Sequence, residues 1–138
     1  MKETLAFHIS ALYREFLAYT TEELKSLGLS FGQIPLIIYT GKHPGCTQAD
    51  LTRALRLDWG YSQRSIAKLV STGFLKKELD EKCSCNCLTL TESGIHAFES
   101  CHKVFYDWDR RKTVGLTEEE TTTLLTLLSK LSASREES

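Results

Sequence analysis

Residues 47–91 read TQADLTRALRLDWGYSQRSIAKLVSTGFLKKELDEKCSCNCLTLT. Thr47 and Asp50 have the spacing of a helix N-cap and the residue that caps back onto it, and Leu51 with Leu55 gives the short helix an inward face. Asp58 is a good N-cap for the next helix, and Gly73 suits the left-handed position just past its end. Within that helix Ile66, Leu69 and Val70 face inward. Tyr61, Gln63, Arg64 and Lys68 are left mainly outside, with Trp59 at the start. From Phe74 to Leu79 and again from Cys87 to Thr91, apolar and β-branched residues flank a polar turn, which predicts a two-stranded hairpin. Its tip carries Cys83, Cys85 and Cys87.

Outward from this stretch the chain reads as helices. Leu5, Ile9, Leu12 and Phe16 recur on one face of a first helix that runs through Leu24 and stops at Gly28. A second begins near Ser30, which has capping-box spacing to Gln33. Pro35 falls in its first turn, where a missing amide costs least. Ile34, Leu36, Ile37 and Ile38 make this helix apolar on several sides, so it is expected at the buried centre, ending at Gly41. Beyond the hairpin, Ile95, Phe98, His102, Phe105 and Trp108 mark a stripe on a long helix broken at Gly115. Thr117 and Glu120 cap a last helix with Leu124, Leu127, Leu128 and Leu131 on one face, and a frayed tail follows from Ser132. The expected fold is mainly α with a small β-hairpin: a helix-turn-helix with a wing, the shape that lays one helix in a DNA major groove. One domain, 1–138, contains a lobe at 30–91, while 1–28 and 92–132 have more apolar surface than the lobe can cover. Such helices either pack on their own domain or serve N- and C-terminal dimerisation, and a two-fold dimer presents two recognition helices to a two-fold operator.

Composition narrows the setting. The chain has 138 residues, a net charge of −1, 41% hydrophobic and 25% charged residues, as expected of a folded globular protein. No apolar run approaches the ~20 residues of a membrane span, and no secretory signal precedes the first helix, so a cytoplasmic protein without a membrane partner is expected. Between Lys42 and Leu75 five basic residues face two acidic ones, a moderately basic centre in a near-neutral chain. Five cysteines without a secretory signal point to reduced thiols, metal ligands or redox switches rather than a disulfide framework. The four histidines are too scattered to read as a metal site.

With these residues in place, the sequence resembles the MarR family of winged helix-turn-helix transcriptional regulators over nearly its whole length. The resemblance is carried by Thr47-Gln48-Ala49-Asp50-Leu51, by Arg64 with Leu69, by Gly73-Phe74-Leu75, by Asp80 in the wing and by Leu90-Thr91-Glu92-Ser93-Gly94. It implies a homodimer joined by its terminal helices, double-stranded DNA bound at promoter palindromes and a small-molecule effector that alters that binding. Carried over by position, Tyr61, Ser62, Gln63, Arg64 and Lys68 fall in or beside the major groove, where arginine pairs with guanine and glutamine with adenine. Gln48 and the amides near Thr47 are placed for phosphate at a helix N-terminus. Trp59 and Tyr61 read either as groove contacts or as wedges against the wing. The implied effector pocket lies between the scaffold helices and the DNA-binding lobe, with Phe16, Tyr39 and Trp108 as its aromatic candidates or, alternatively, as core residues.

One segment departs from the family. Where its wing carries one or two arginines, this chain has Cys83, Ser84, Cys85 and Asn86, leaving Lys76, Lys77 and Lys82 for phosphate contacts. Cys83, Cys85 and Cys87 read as ligands for Zn or Cu(I), as oxidation sensors beside those lysines, or as an inert tip. No cofactor is required by anything else in the sequence. Two other functional classes stay in view: an enzyme built on the thiols, which lacks a histidine or carboxylate at catalytic spacing, and a winged-helix protein-interaction module that does not bind DNA.

Overall fold

The computed structural model describes residues 3–133. Six helices and three short strands follow one another: α1 (Leu5–Glu23), α2 (Ile34–Lys42), β1 (Cys46–Thr47), α3 (Gln48–Ala54), α4 (Trp59–Ser71), β2 (Leu75–Asp80), β3 (Cys85–Leu90), α5 (Glu92–Lys112) and α6 (Glu118–Ala133). Two 3-10 turns, Lys25–Leu27 and Phe31–Gln33, lead from α1 into α2. Ser30 opens the 3-10 turn Phe31–Gln33 rather than α2, which begins at Ile34, whereas the starts of α3, α4 and α6 are set by the residues that announced them. Thr47 Oγ1 accepts the Asp50 amide at 3.0 Å and Asp50 Oδ2 accepts the Thr47 amide at 3.2 Å. Asp58 Oδ2 accepts the Tyr61 amide at 3.0 Å, and Thr117 and Glu120 cap each other at 3.0 and 2.9 Å. Gly73, at φ 89°, turns the chain out of α4 in the left-handed region that glycine enters without cost.

The wing is larger than the expected two-stranded hairpin. β1 adds a third strand in the order β1-β3-β2, all antiparallel, through the pairs Cys46↔Leu88 and Thr47↔Cys87. Two residues are too short to show a strand period, so pairing with β3 rather than local pattern makes them a strand. β2 and β3 run in register from Leu75↔Leu90 to Asp80↔Cys85.

Two compact units divide the chain, Met1–Phe105 and Tyr106–Ser138. In the first, Leu36, Ile37, Leu51, Ile66, Leu69 and Leu88 form the main core, each at most 1% exposed. A second cluster joins Leu24, Ile34, Cys101 and Val104. Of the stripe expected on α5, Phe98 and Phe105 pack against the two core clusters, while Ile95 and His102 do not turn inward. The buried residues of α5 are Gly94, Ala97, Cys101 and Val104, while Ile95 is 49% exposed and His102 is exposed. Small side chains bring the helix backbone close to its neighbours: a Cβ on Gly94 would stand 2.1 Å from the Phe74 carbonyl oxygen. Phe98 packs on Gly41 in the same way, its ring 2.3 Å from where a Cβ would be. In the second unit α6 has no buried residue. The tail expected from Ser132 lies, beyond Ala133, outside the described residues. No helix among the described residues is long and apolar enough to cross a membrane.

α3 and α4 meet at a buried pair of hydroxyls. Thr52 Oγ1 donates to the Gln48 carbonyl at 2.6 Å, and Ser62 Oγ lies 2.6 Å from Thr52 Oγ1. A hydroxyl has one proton, so Ser62 must be the donor to Thr52.

Two stability predictions follow from this packing, both read by urea unfolding at fixed protein concentration. Gly94→Ala should lower the unfolding free energy by about 1–3 kcal/mol through overpacking, while Gly115→Ala, with open space around it, should change it by less than about 0.5 kcal/mol. Thr52→Val should cost about 1–3 kcal/mol by stranding the Ser62 hydroxyl, and adding Ser62→Ala should recover part of that loss.

Candidate nucleic-acid interface

The turn from α3 to α4 places one helix face outward. Arg56 takes φ 55°, unusual for a residue with a side chain, and the Leu57 amide donates to the Thr52 carbonyl at 3.0 Å. α4 then buries Ser62, Ile66 and Leu69 at helical spacing. Gln63, Arg64 and Lys68 are exposed on the opposite side, and among the described residues no salt bridge engages them. The Arg64 side chain runs back along the helix, Nη1 lying 3.1 Å from where a Gly60 Cβ would be. Glycine there leaves the guanidinium room to lie along the first turn.

The structure distributes the remaining expected contacts unevenly. Ser62 is corrected: it is fully buried as the partner of Thr52 and does not face outward. Trp59 is 48% and Tyr61 41% exposed at the start of α4. The Tyr61 hydroxyl stands 2.9 Å from where a Gly32 Cβ would be, so this tyrosine also packs on the 3-10 turn before α2. Gln48 is half-buried at the start of α3. Asp50, its carboxyl held below the usual range chiefly by the Thr47 amide, bridges Arg53 at 3.0 Å. Arg53 and Arg56 are exposed basic residues of this region that helical periodicity gave no reason to select.

β2 packs against α4 and carries the wing lysines. Lys76 and Lys77 are exposed on opposite faces of the strand, and Lys82 is exposed in the turn, where its amide donates to Asp80 Oδ1 at 3.0 Å. The hairpin tip divides the three wing thiols two to one. Cys83 and Cys85 are joined as a disulfide across Ser84, and Cys87 is a free, half-buried thiol within β3. In this oxidised state the described residues contain no group of three or more histidine, cysteine or acidic side chains placed to hold a metal. Thiolate ligation of an ion by Cys83 or Cys85 would require the bond between them to be reduced.

A cavity of about 420 Å³ opens in the first unit, walled by Phe16, Phe31, Ile34, Ile38, Leu55 and Phe105. Tyr39 also lines it, and Lys42 is its one charged lining residue. The expected aromatics Phe16 and Tyr39 thus meet in one place. Trp108 belongs to the second unit. Lys42 follows Tyr39 by three positions on α2, the helical spacing that would have nominated it.

The MarR family model matches residues 27–82, which span α2, the helix-turn-helix and the first wing strand. The chain is 39% identical over 137 residues to the HTH-type transcriptional regulator BilQ of Clostridium symbiosum (strain WAL-14163), covering 99% of this chain and 95% of that protein. Among solved structures, a MarR protein from Peptoclostridium difficile DA00132 superposes with a TM-score of 0.86 at 22% identity, over 96% of this chain and 88% of that one. An S. aureus MepR–DNA complex gives a TM-score of 0.79 at 20% identity, over 94% and 95% of the two chains. The structures share the fold, and the near full-length likeness to BilQ extends to sequence: this chain belongs to the MarR family of winged helix-turn-helix transcriptional regulators.

Proposed function

We propose that the chain is a sequence-specific regulator that binds double-stranded DNA as a homodimer, represses while bound, and is released or tightened by a small molecule. The observation that carries this reading is the outward face of α4, where Gln63, Arg64 and Lys68 stand exposed on a helix that buries Ser62, Ile66 and Leu69 behind them. Arginine and glutamine offer the paired donors and acceptors that base edges in a major groove require. Lys76, Lys77 and Lys82 add cations for phosphate. S. aureus MepR, a protein of the same fold, has been solved in complex with DNA, which supports the DNA-binding reading.

Dimerisation is supported by apolar residues left uncovered in each unit taken separately. Leu5, Phe7, Ile9 and Leu12 of α1 are 43–56% exposed, and Leu124, Leu125, Leu127, Leu128 and Leu131 of α6 are 38–56% exposed. A second copy of the chain would remove this surface from water, at roughly 25 cal/mol per Å² of apolar area. The apolar cavity with Lys42 suits a flat hydrophobic molecule carrying an acidic group. Such a ligand alters DNA affinity only to the extent that it binds one placement of the recognition helices better than another.

Binding to fragments of the upstream DNA, followed by fluorescence anisotropy at fixed salt, tests the reading. Arg64→Ala should cost about 1–3 kcal/mol and relax specificity at one base position, while Lys76→Ala should weaken all fragments alike and reduce the salt slope by about 1. An Arg64→Ala chain with unchanged affinity for every fragment would favour the protein-interaction module instead. For the dimer, sedimentation should give twice the chain mass for the native protein and a monomer for Leu128→Asp, since a charge buried in an apolar interface is costly. A monomeric native protein at working concentrations sinks that part of the proposal.

A further inference from the structure

The five cysteines fall into three environments. Cys46 and Cys101 are core residues, 8% and 0% exposed. Burial raises the Cys46 thiol above its ordinary value and pushes Cys101 up to about 11, so both stay protonated and unreactive at neutral pH. Cys87 sits inside the sheet, opposite Glu78 on β2 and Thr47 on β1. Cys83 and Cys85 lie at the end of the hairpin, with Cys83 exposed and the bond between them spanning a sequence separation of 2.

That bond is poorly explained as a staple of the fold. A disulfide stabilises by restricting the unfolded chain, and the effect is least for the shortest loops. The ladder from Leu75↔Leu90 to Asp80↔Cys85 already holds the hairpin together. The bond does constrain the tip: Ser84, within the ring, takes φ 53°, and Lys82 immediately precedes Cys83. Exposed disulfides of this kind are open to attack by small thiols.

We propose that Cys83 and Cys85 form a reversible thiol-modification site for small-molecule disulfides, and that closing the bond fixes the wing tip for its phosphate contacts. In the closing direction a thiolate of the pair attacks the small disulfide R–S–S–R. A mixed disulfide forms and one RS⁻ leaves. The second cysteine thiolate then attacks the mixed disulfide at the cysteine sulfur and displaces the other RS⁻. The two cysteine protons end on the two released thiols, so the cysteines lose two electrons and the small disulfide gains two. Excess small thiol reverses both steps. The closed turn presents Lys82 with less freedom left to lose on binding, which favours the oxidised form on DNA. This last step rests on the DNA-binding reading above.

The test uses the full chain equilibrated in mixtures of reduced and oxidised glutathione, quenched, alkylated and mapped by mass spectrometry. DNA affinity is measured in both end states. A single two-electron transition confined to Cys83 and Cys85 is expected, lost in Cys83→Ser and Cys85→Ser and kept in Cys87→Ser. The oxidised protein should bind upstream DNA roughly three- to tenfold more tightly than the reduced protein, a difference both single serine variants abolish. A bridge that never forms, or that recruits Cys87, overturns the site. A reversible bridge with equal affinities, in a protein whose Arg64→Ala variant still binds more weakly, overturns the wing effect while leaving DNA binding intact. No binding in either state overturns the DNA reading and the wing effect together, with the thiol mapping judged separately. Zinc added to the reduced chain, followed by native mass spectrometry, supplies the last arm: a tightly held ion that blocks alkylation of Cys83, Cys85 and Cys87 overturns the exchange site in favour of a metal site.

Discussion

Two small hydroxyls determine how the recognition helix is offered. Thr52 gives its proton to the Gln48 carbonyl within α3, and Ser62 gives its own to Thr52 across the helix crossing. Both residues are buried, at 8% and 0% exposure, so water cannot stand in for either partner. α3 and α4 can satisfy the pair only where these side chains coincide. With Ser62 fixed inward, Ile66 and Leu69 follow it into the core at i+4 and i+7, and Gln63, Arg64 and Lys68 are turned out. The chemistry of the exposed face is thus set by a contact that never reaches the surface.

How much of this was legible in the sequence depends on the range of each interaction. Capping is local, and Thr47, Asp58 and Thr117 announced helix starts that the structure places at the following residue. The apolar run of α2 was equally plain, with Ile34, Leu36 and Ile37 all buried. Ser62 was misread because it was carried over by position from the family resemblance, although helical periodicity had left it off the outward face, and its buried partner lies ten residues away. The buried stripe of α5 was hidden for a different reason. Hydrophobic periodicity weights large side chains, while Gly94 and Ala97 contribute by being small enough to let backbones approach. Of the expected site, the outward α4 residues were readable from amphipathicity. Arg56 in its left-handed turn needed tertiary structure, whereas Lys42 in the cavity was within reach of helical spacing from Tyr39.

The cavity and the recognition helix share supports. Phe31 lines the cavity, and the next residue, Gly32, faces the Tyr61 hydroxyl. Leu55 also lines it and is the C-cap of α3, directly before the turn into α4. A molecule occupying this space bears on the two segments that hold the start of α4. Tyr61 therefore has a positioning role available to it that does not require the tyrosine to touch a base.

The wing tip is subject to none of these constraints, which is why its chemistry can diverge from the rest. The β2–β3 ladder ends at Asp80↔Cys85, and beyond it the turn is held by the Asp80 contact with the Lys82 amide and by the disulfide. Nothing in the core rests on Cys83 or Ser84, both exposed. Opening the bond therefore alters the freedom of the tip without removing a strand pair or a buried contact. Cys46 and Cys101 stand in the reverse position: any modification of either would have to enlarge a packed core residue, so their thiols are protected by the fold they help to build. Packing thus removes Cys46 and Cys101 from reaction, while Cys87, half-buried, is set apart from the tip pair by its place inside the β2–β3 ladder opposite Glu78.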